Sequence, residues 1–250
     1  MNWLKSVIKS TIKRFGYDIH DIHPETTFFG LASLPIDVIV DVGANRGQFA
    51  ERAVRVFPDA GLFCFEPVPE AFAQLEEWAK RVPNFVATYN VALGSEPGTQ
   101  HFFVHADHTM SSSFLEPTEL LEKEYPKTRR KKRIEVEVRR LDDYHGEIMK
   151  SDRKCILLKI DVEGFEMDVL KGSINTLGRI GAIIVEIHVV QLFKGHPSFR
   201  EIDDFLYERN YRFSGFFFPP GTNASGRIVG FDAIYIRDDY FDEGLMVEAR

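Results

Sequence analysis

The chain is expected to fold as an α/β domain, a mostly parallel β-sheet with helices on both faces. Three observations predict this. From residue 36 onward, apolar runs of strand length alternate with amphipathic stretches of helical period. The first strand-to-helix turn is punctuated by Asp41, Gly43, Asn45 and Gly47 after the apolar run from Val38. A second apolar run, Leu62 to Phe65, closes on Glu66 nineteen residues past Gly47. Successive β-α units of this kind build a parallel sheet covered on both sides.

Ahead of that alternation, Trp3, Leu4, Val7, Ile8, Ile12 and Phe15 recur at helical spacing between Lys5, Lys9, Lys13 and Arg14. This predicts an amphipathic helix over 2–15 with a basic polar face. The first reading docks it on the domain or on a partner subunit in an oligomer. The second lays it on a membrane surface as a peripheral contact. Gly16 is expected to end it, and residues 17–35, with Pro24 and Pro35, to connect it onward. Residues 1–35 are therefore read as helix and linker, 36–240 as the main domain and 241–250 as a tail.

Within the domain, Val38–Val42 is the first strand and Gln48–Phe57 the first helix. Leu62–Phe65 is the second strand, and Pro69 opens a helix carrying Phe72, Leu75, Ala79 and Val82 inward. Phe85–Asn90 is the third strand. Gln100–His105 and Ile134–Arg139 are more polar strands, the latter alternating Ile134, Val136 and Val138 against charged neighbours. A short helix is expected near Thr118–Tyr125. Cys155–Ile160, a helix over Phe165–Leu177, strand Ala182–Ile187 and a helix near Ser198–Arg209 continue the series. Tyr211–Phe218 and Phe231–Arg237 flank a Pro/Gly/Asn-rich loop, which predicts a C-terminal antiparallel hairpin.

Composition narrows the function. With 250 residues, 44% of them hydrophobic, the chain can bury a substantial core. A formal charge of -7 argues against nucleic acid as a partner, since neutralising phosphate needs a basic face. The basic run Arg129–Arg133 is bracketed by Glu122, Glu124, Glu135 and Glu137 and reads as a solvated loop. Cys64 and Cys155 each sit inside an apolar run, so buried thiols are expected in place of a disulfide or a cysteine zinc site. No apolar run approaches a membrane span, and lysines interrupt the N-terminal segment where a signal peptide needs a continuous apolar block. A cytoplasmic location is the expectation.

The glycine-rich turn and Glu66 resemble a nucleoside-bearing cofactor site. Glycines let the backbone approach the ligand, and a carboxylate at the next strand end can accept from both ribose hydroxyls. The third glycine of a dinucleotide fingerprint is missing, as is the lysine of a triphosphate loop. A carboxylate at Asp41 repels phosphate and suits a cationic ligand. S-adenosylmethionine, with its adenosine, ammonium and sulfonium, fits best. A nicotinamide oxidoreductase on the same sheet is the alternative enzyme, and a non-catalytic binding module that keeps the fold is the third.

The ordered set of segments resembles the FkbM-type family of Rossmann-like class I methyltransferases. The matching stretches are Asp41–Phe49, Phe65–Phe72, Asn90–Gly94, Leu141–Tyr144 and Lys159–Glu166, the last being the most distinctive. The resemblance runs from about 36 to about 237. It implies a seven-stranded sheet with a reversed last strand, S-adenosylmethionine as donor, and O-methylation of a hydroxyl on a sugar, glycan or natural-product acceptor. It also places Asn90 near the adenine.

Methyl transfer to an alcohol needs an aligned oxygen and a proton acceptor. Candidates stand at the ends of the fourth and fifth strands, Asp161-Val-Glu163 and Glu186-Ile-His188, where period-two alternation puts each pair on one side. Asp161 and His188 are assigned catalysis, with Glu186 orienting the imidazole. Glu163 is a further candidate whose structural alternative is to cap the following helix, and the structural alternative for Lys159 is to pair with a neighbouring carboxylate. A divalent metal on the same groups is the less favoured reading, because no metal-specific spacing occurs. His105-Ala-Asp107-His108 lies in a loop and adds no such pattern.

Overall fold

The structure is a computed structural model that describes Phe28 and residues 30–105, 109–149, 155–223 and 225–240. The expected helix over 2–15, the tail 241–250 and the Ala106–His108 part of the histidine-bearing loop lie outside the described residues.

Strand β1 (Ile36–Val42) leads into α1 (Gln48–Val56), and β2 (Gly61–Phe65) into α2 (Pro69–Ala79). Then come β3 (Val86–Tyr89), β4 (Ala92–Leu93), β5 (Gly98–His105), α3 (Glu119–Glu124) and β6 (Lys131–Arg139). After α4 (His145–Ile148) the alternation resumes with β7 (Cys155–Ile160), α5 (Glu166–Lys171), α6 (Ile174–Leu177), β8 (Ile180–His188) and α7 (Phe199–Tyr207). The chain closes with β9 (Tyr211–Phe216), β10 (Gly221–Thr222) and β11 (Ile228–Arg237).

The main sheet runs β10-β11-β8-β7-β1-β2-β3, with β9 also paired to β11. β1, β2, β3, β7 and β8 are mutually parallel, and β11 is antiparallel to its neighbours. The reversed last strand and the hairpin are as expected. The sheet has eight strands where the resemblance implied seven. The ten-residue β11 is longer than β9, which pairs only with Ala233–Arg237; the two-residue β10 takes up the start of the same edge.

Both faces of the sheet are covered, which is why its inner strands read as unbroken apolar runs. One face packs Val38, Val40, Leu158 and Val185 against Val169, Leu170, Ile202 and Leu206. The other sets Ile39, Leu62, Leu157 and Ile184 against Ala53, Phe57, Leu75 and Trp78. Phe28 and Leu31 are fully buried in this second cluster, Phe28 edge-on to Phe57 and Phe217, so the core draws on residues assigned to the linker. Both cysteines are buried free thiols.

The two polar strands leave the main sheet and pair antiparallel with each other, forming with β4 a second sheet of order β4-β6-β5. Two expectations need correction here. The basic run is only in part a loop: Arg129 and Arg130 lie in the turn before β6, and Lys131–Arg133 form its exposed start, with Lys131 and Lys132 paired to Glu122 and Glu70 at 3.0 and 2.7 Å. The helix expected over Phe165–Leu177 is broken at Gly172 and Ser173. There the Gly172 carbonyl accepts from Asp142, and the Asp142 carboxylate receives the Asn175 and Thr176 amides at 3.0 and 2.9 Å. A side chain from a distant segment thus caps a new helix start.

Candidate active site

The turn between β1 and α1 is shaped by contact with the next crossover. Gly43 has φ +78, and a Cβ there would lie 1.9 Å from the Asp161 carbonyl oxygen, so no larger residue fits. The Gly43 and Ala44 amides donate to the Phe65 carbonyl at 3.0 Å each, tying the turn to the end of β2. Glu66 follows immediately. Its two carboxylate oxygens accept from the Asn45 and Val68 amides, each at 2.8 Å. Burial pushes its pKa up to about 7, against the pull of those two amides.

These groups border a cavity of about 320 Å³, within the roughly 300–1,000 Å³ of small-molecule sites. Gly43, Asn45 and Glu66 stand on one side; Val91, Leu93 and Phe102 form apolar wall; Lys159 and Asp161 form a charged corner. The second sheet therefore supplies part of the enclosure. Sequence reasoning had no means of placing it there, because its pairing is long-range.

Three of the expected cofactor residues act from outside the cavity lining. Asp41 is fully buried, and the β1–β7 register places it beside Lys159, whose Nζ lies 3.4 Å from Asp41 and 3.1 Å from Asp161. Lys159 thus pairs with carboxylates. Burial disfavours its charge, but the two aspartates outweigh that and its pKa is raised. Asp161, with Glu66 and Asp232, lines the cavity, and Asp41 does not. Gly47 opens α1 with φ +87, where a Cβ would press on Leu75 and Trp78, so the close approach of α1 to α2 also requires glycine there. Asn90 is exposed, and its amide donates to the Glu66 carbonyl at 2.8 Å, which holds the strand end in place.

A second cavity of about 260 Å³ adjoins the first, and Phe218 and Asp232 line both. Glu163, Glu186 and His188 stand in its wall, with Tyr125 and Phe231. The predicted catalytic residues are therefore divided, Asp161 on the first cavity and Glu186 and His188 on the second. His188 Nε2 lies 3.4 Å from Glu163 and 3.5 Å from Glu186. Burial works against the imidazolium, but Glu163, Glu166 and Asp161 prevail and raise the His188 pKa. Burial and then Glu163 and Asp161 raise that of Glu186 well above the usual carboxylate range.

Of the residues here, Glu163 is a candidate from the sequence and Asp232 escapes it. Glu163 does not cap a helix; its φ of 55 turns its side chain back to His188, while buried Glu166 accepts from the Gly164 amide at 2.9 Å and holds the loop. The signal was present in Glu163-Gly164, an acidic residue followed by glycine. Asp232 reaches the site because β11 pairs it with Glu186. Burial first, then Asp161, pushes its pKa to about 6. A strand register has no single-sequence signal.

A parallel sheet with one reversed strand, and a cavity at the carboxyl ends of its first strands, is the architecture of the Rossmann-like class I methyltransferase fold. Residues 41–213 match the family described as Methyltransferase FkbM domain, and the chain belongs to that family. It is 33% identical over 182 residues to 2-O-methyltransferase NoeI of Sinorhizobium fredii, covering 70% of this chain and 73% of that one. It is 30% identical over 197 residues to 31-O-demethyl-FK506 methyltransferase FkbM of Streptomyces tacrolimicus, covering 67% and 74%. Hexuronic acid methyltransferase AglP of Haloferax volcanii is 31% identical over 163 residues, 61% of this chain and 56% of that one. The crystal structure of methyltransferase FkbM from Methylobacillus flagellatus superposes with TM-score 0.50 at 16% identity, covering 86% of this chain and 48% of that chain, and shares the fold. The enzyme class is S-adenosylmethionine-dependent O-methyltransferase, and neither the oxidoreductase nor the binding-module reading is favoured. Among the described residues no helix is long and apolar enough to cross a membrane.

Proposed function

We propose that this enzyme methylates a hydroxyl of a sugar, glycan or natural-product acceptor, with S-adenosylmethionine in the first cavity and the acceptor in the second. The observation that carries the reading is the meeting of the two cavities at Asp232 and Phe218, with Glu66 lining one and the Glu186–His188 pair in the other. The relatives named above, one a 2-O-methyltransferase and one acting on 31-O-demethyl-FK506, support a hydroxyl acceptor.

The first cavity fits the donor. Each Glu66 oxygen accepts one backbone amide and keeps a lone pair for a ribose hydroxyl. Val91, Leu93 and Phe102 offer apolar surface to an adenine, and Asp161 offers negative charge to an ammonium or sulfonium. The bound donor supplies an electrophilic methyl group on a positively charged sulfur. The protein aligns the acceptor oxygen and takes its proton through Asp161 and His188, with Glu186 beside the imidazole. An oxygen–carbon bond forms as the carbon–sulfur bond breaks, the electron pair passes to sulfur, and the proton remains on the enzyme until solvent removes it.

A methyl-transfer screen with labelled donor against glycans, nucleotide sugars, lipid-linked intermediates and polyketides, read by mass, tests the proposal. The expected product carries one added methyl on oxygen. Failure to bind S-adenosylhomocysteine, or transfer only to nitrogen or carbon, overturns it.

A further inference from the structure

We infer that Glu163, Glu186 and His188 form a binding site for a divalent cation of the magnesium or manganese class, set in the wall of the second cavity. One ligand atom from each lies within 4.8 Å of the other two. The two closest separations, 3.4 and 3.5 Å, approach those of adjacent ligands about 2.1 Å from a shared ion, which stand roughly 3 Å apart. The donors come from two strand ends, His188 and Glu186 from β8 and Glu163 from the crossover after β7.

The independent observation is a pair of buried polar atoms aimed into this space. The His188 side chain is 5% exposed, and its Nε2 and Glu186 Oε2 are both buried without a hydrogen bond, facing each other at the longer ion-pair distance of 3.5 Å. A buried polar atom left without a hydrogen bond is destabilising, more so when it is charged. One ion satisfies both.

Charge favours the same occupant. Asp161, Glu166 and Asp232 surround the three donors electrostatically, and the nearby Lys159 is already engaged with Asp41 and Asp161. A donor set of one imidazole and two carboxylates is a mixed nitrogen–oxygen site with no thiolate; the carboxylates suit manganese or magnesium, and the imidazole favours manganese of the two. With three protein ligands, an octahedral ion keeps positions open to the cavity. There it would bind the acceptor hydroxyl and acidify it. His188 is then a ligand, and Asp161 takes the hydroxyl proton. This catalytic role rests on the proposed methyl transfer; the binding itself does not.

Electron paramagnetic resonance titration of the full chain with Mn2+, without methyl donor, tests the site. One Mn2+ per chain is expected, with affinity falling at least tenfold in His188→Gln and in Glu186→Gln. S-adenosylhomocysteine affinity should stay near wild type in both, which also shows that the variants fold. Lack of binding at millimolar Mn2+, or binding unaltered by both substitutions, overturns the site. Full methyl transfer after chelation overturns its role while leaving the binding result to stand. Mn2+ binding without any S-adenosylhomocysteine binding would keep the site and reject the methyl-transfer reading.

Discussion

At the scale of single residues, Glu66 bears the largest consequence for the donor. Its oxygens are already oriented by the Asn45 and Val68 amides, so the loss of its charge-assisted hydrogen bonds is a loss of binding energy more than of shape. Glu66→Ala is expected to weaken S-adenosylhomocysteine by roughly 1.5–3 kcal/mol, about ten- to a hundredfold, in calorimetry. The raised pKa adds a pH signature. The native state holds the Glu66 proton more tightly than the unfolded chain, so this group favours folding below about pH 4.5. That contribution fades as pH rises through about 7, a difference of about 3 kcal/mol at roughly 1.4 kcal/mol per unit. Ribose hydroxyls donate to the ionised form, so ligand binding at pH 6 should release up to about one proton, and at pH 8 close to none. Calorimetry in buffers of different ionisation enthalpy measures that release; equal release at the two pH values would contradict the assignment. For the acceptor side, His188→Ala and Asp161→Asn should each lower turnover by about 10²- to 10⁴-fold with S-adenosylhomocysteine affinity preserved. Near-normal turnover in both would leave alignment as the protein's main contribution.

At the scale of elements, two of the motif segments prove to be supports for others. Asp142 caps α6 from outside its own chain segment and also receives the Thr176 hydroxyl at 2.8 Å. Tyr144 packs edge-on against Phe65 and Tyr89, steadying the ends of β2 and β3 beside Glu66. Asp142→Ala should cost about 1–2 kcal/mol, seen as a lower melting temperature with little change in donor affinity. An affinity loss as large as that of Glu66→Ala would mean that α6 transmits its position to the cavity. The Asn90–Gly94 segment divides its work in the same way: Asn90 braces Glu66 while Ala92 and Leu93 pair with β6 and face the cavity.

At the scale of the whole molecule, the core begins before the first strand. Phe28 is fully buried among Phe49, Phe57 and Phe217, so Phe28→Ala is expected to destabilise the fold by about 3–5 kcal/mol. Deleting residues 1–16, which stop short of Phe28, is expected to leave S-adenosylhomocysteine affinity nearly intact. Thermal unfolding of the two proteins compares them directly; equal stability would place Phe28 outside the cooperative core.

The residues themselves determined the alternation of strands and helices, the glycine turn at Gly43 and the carboxylate closing β2. Each is local: side-chain period, left-handed backbone and the end of an apolar run can be read within a few neighbours. The spacing also brought out Asp161, Glu186 and His188, because strand ends in a parallel sheet share one edge. Tertiary structure alone decided which carboxylates face the cavities. Register set Asp41 against Lys159, where it is fully buried, and register brought Asp232 beside Glu186. The backbone turn at Glu163 swung its side chain to His188, and the pairing of β5 with β6 closed the wall of the donor cavity. These depend on contacts between segments far apart in the chain, and a single sequence carries no periodicity that encodes them.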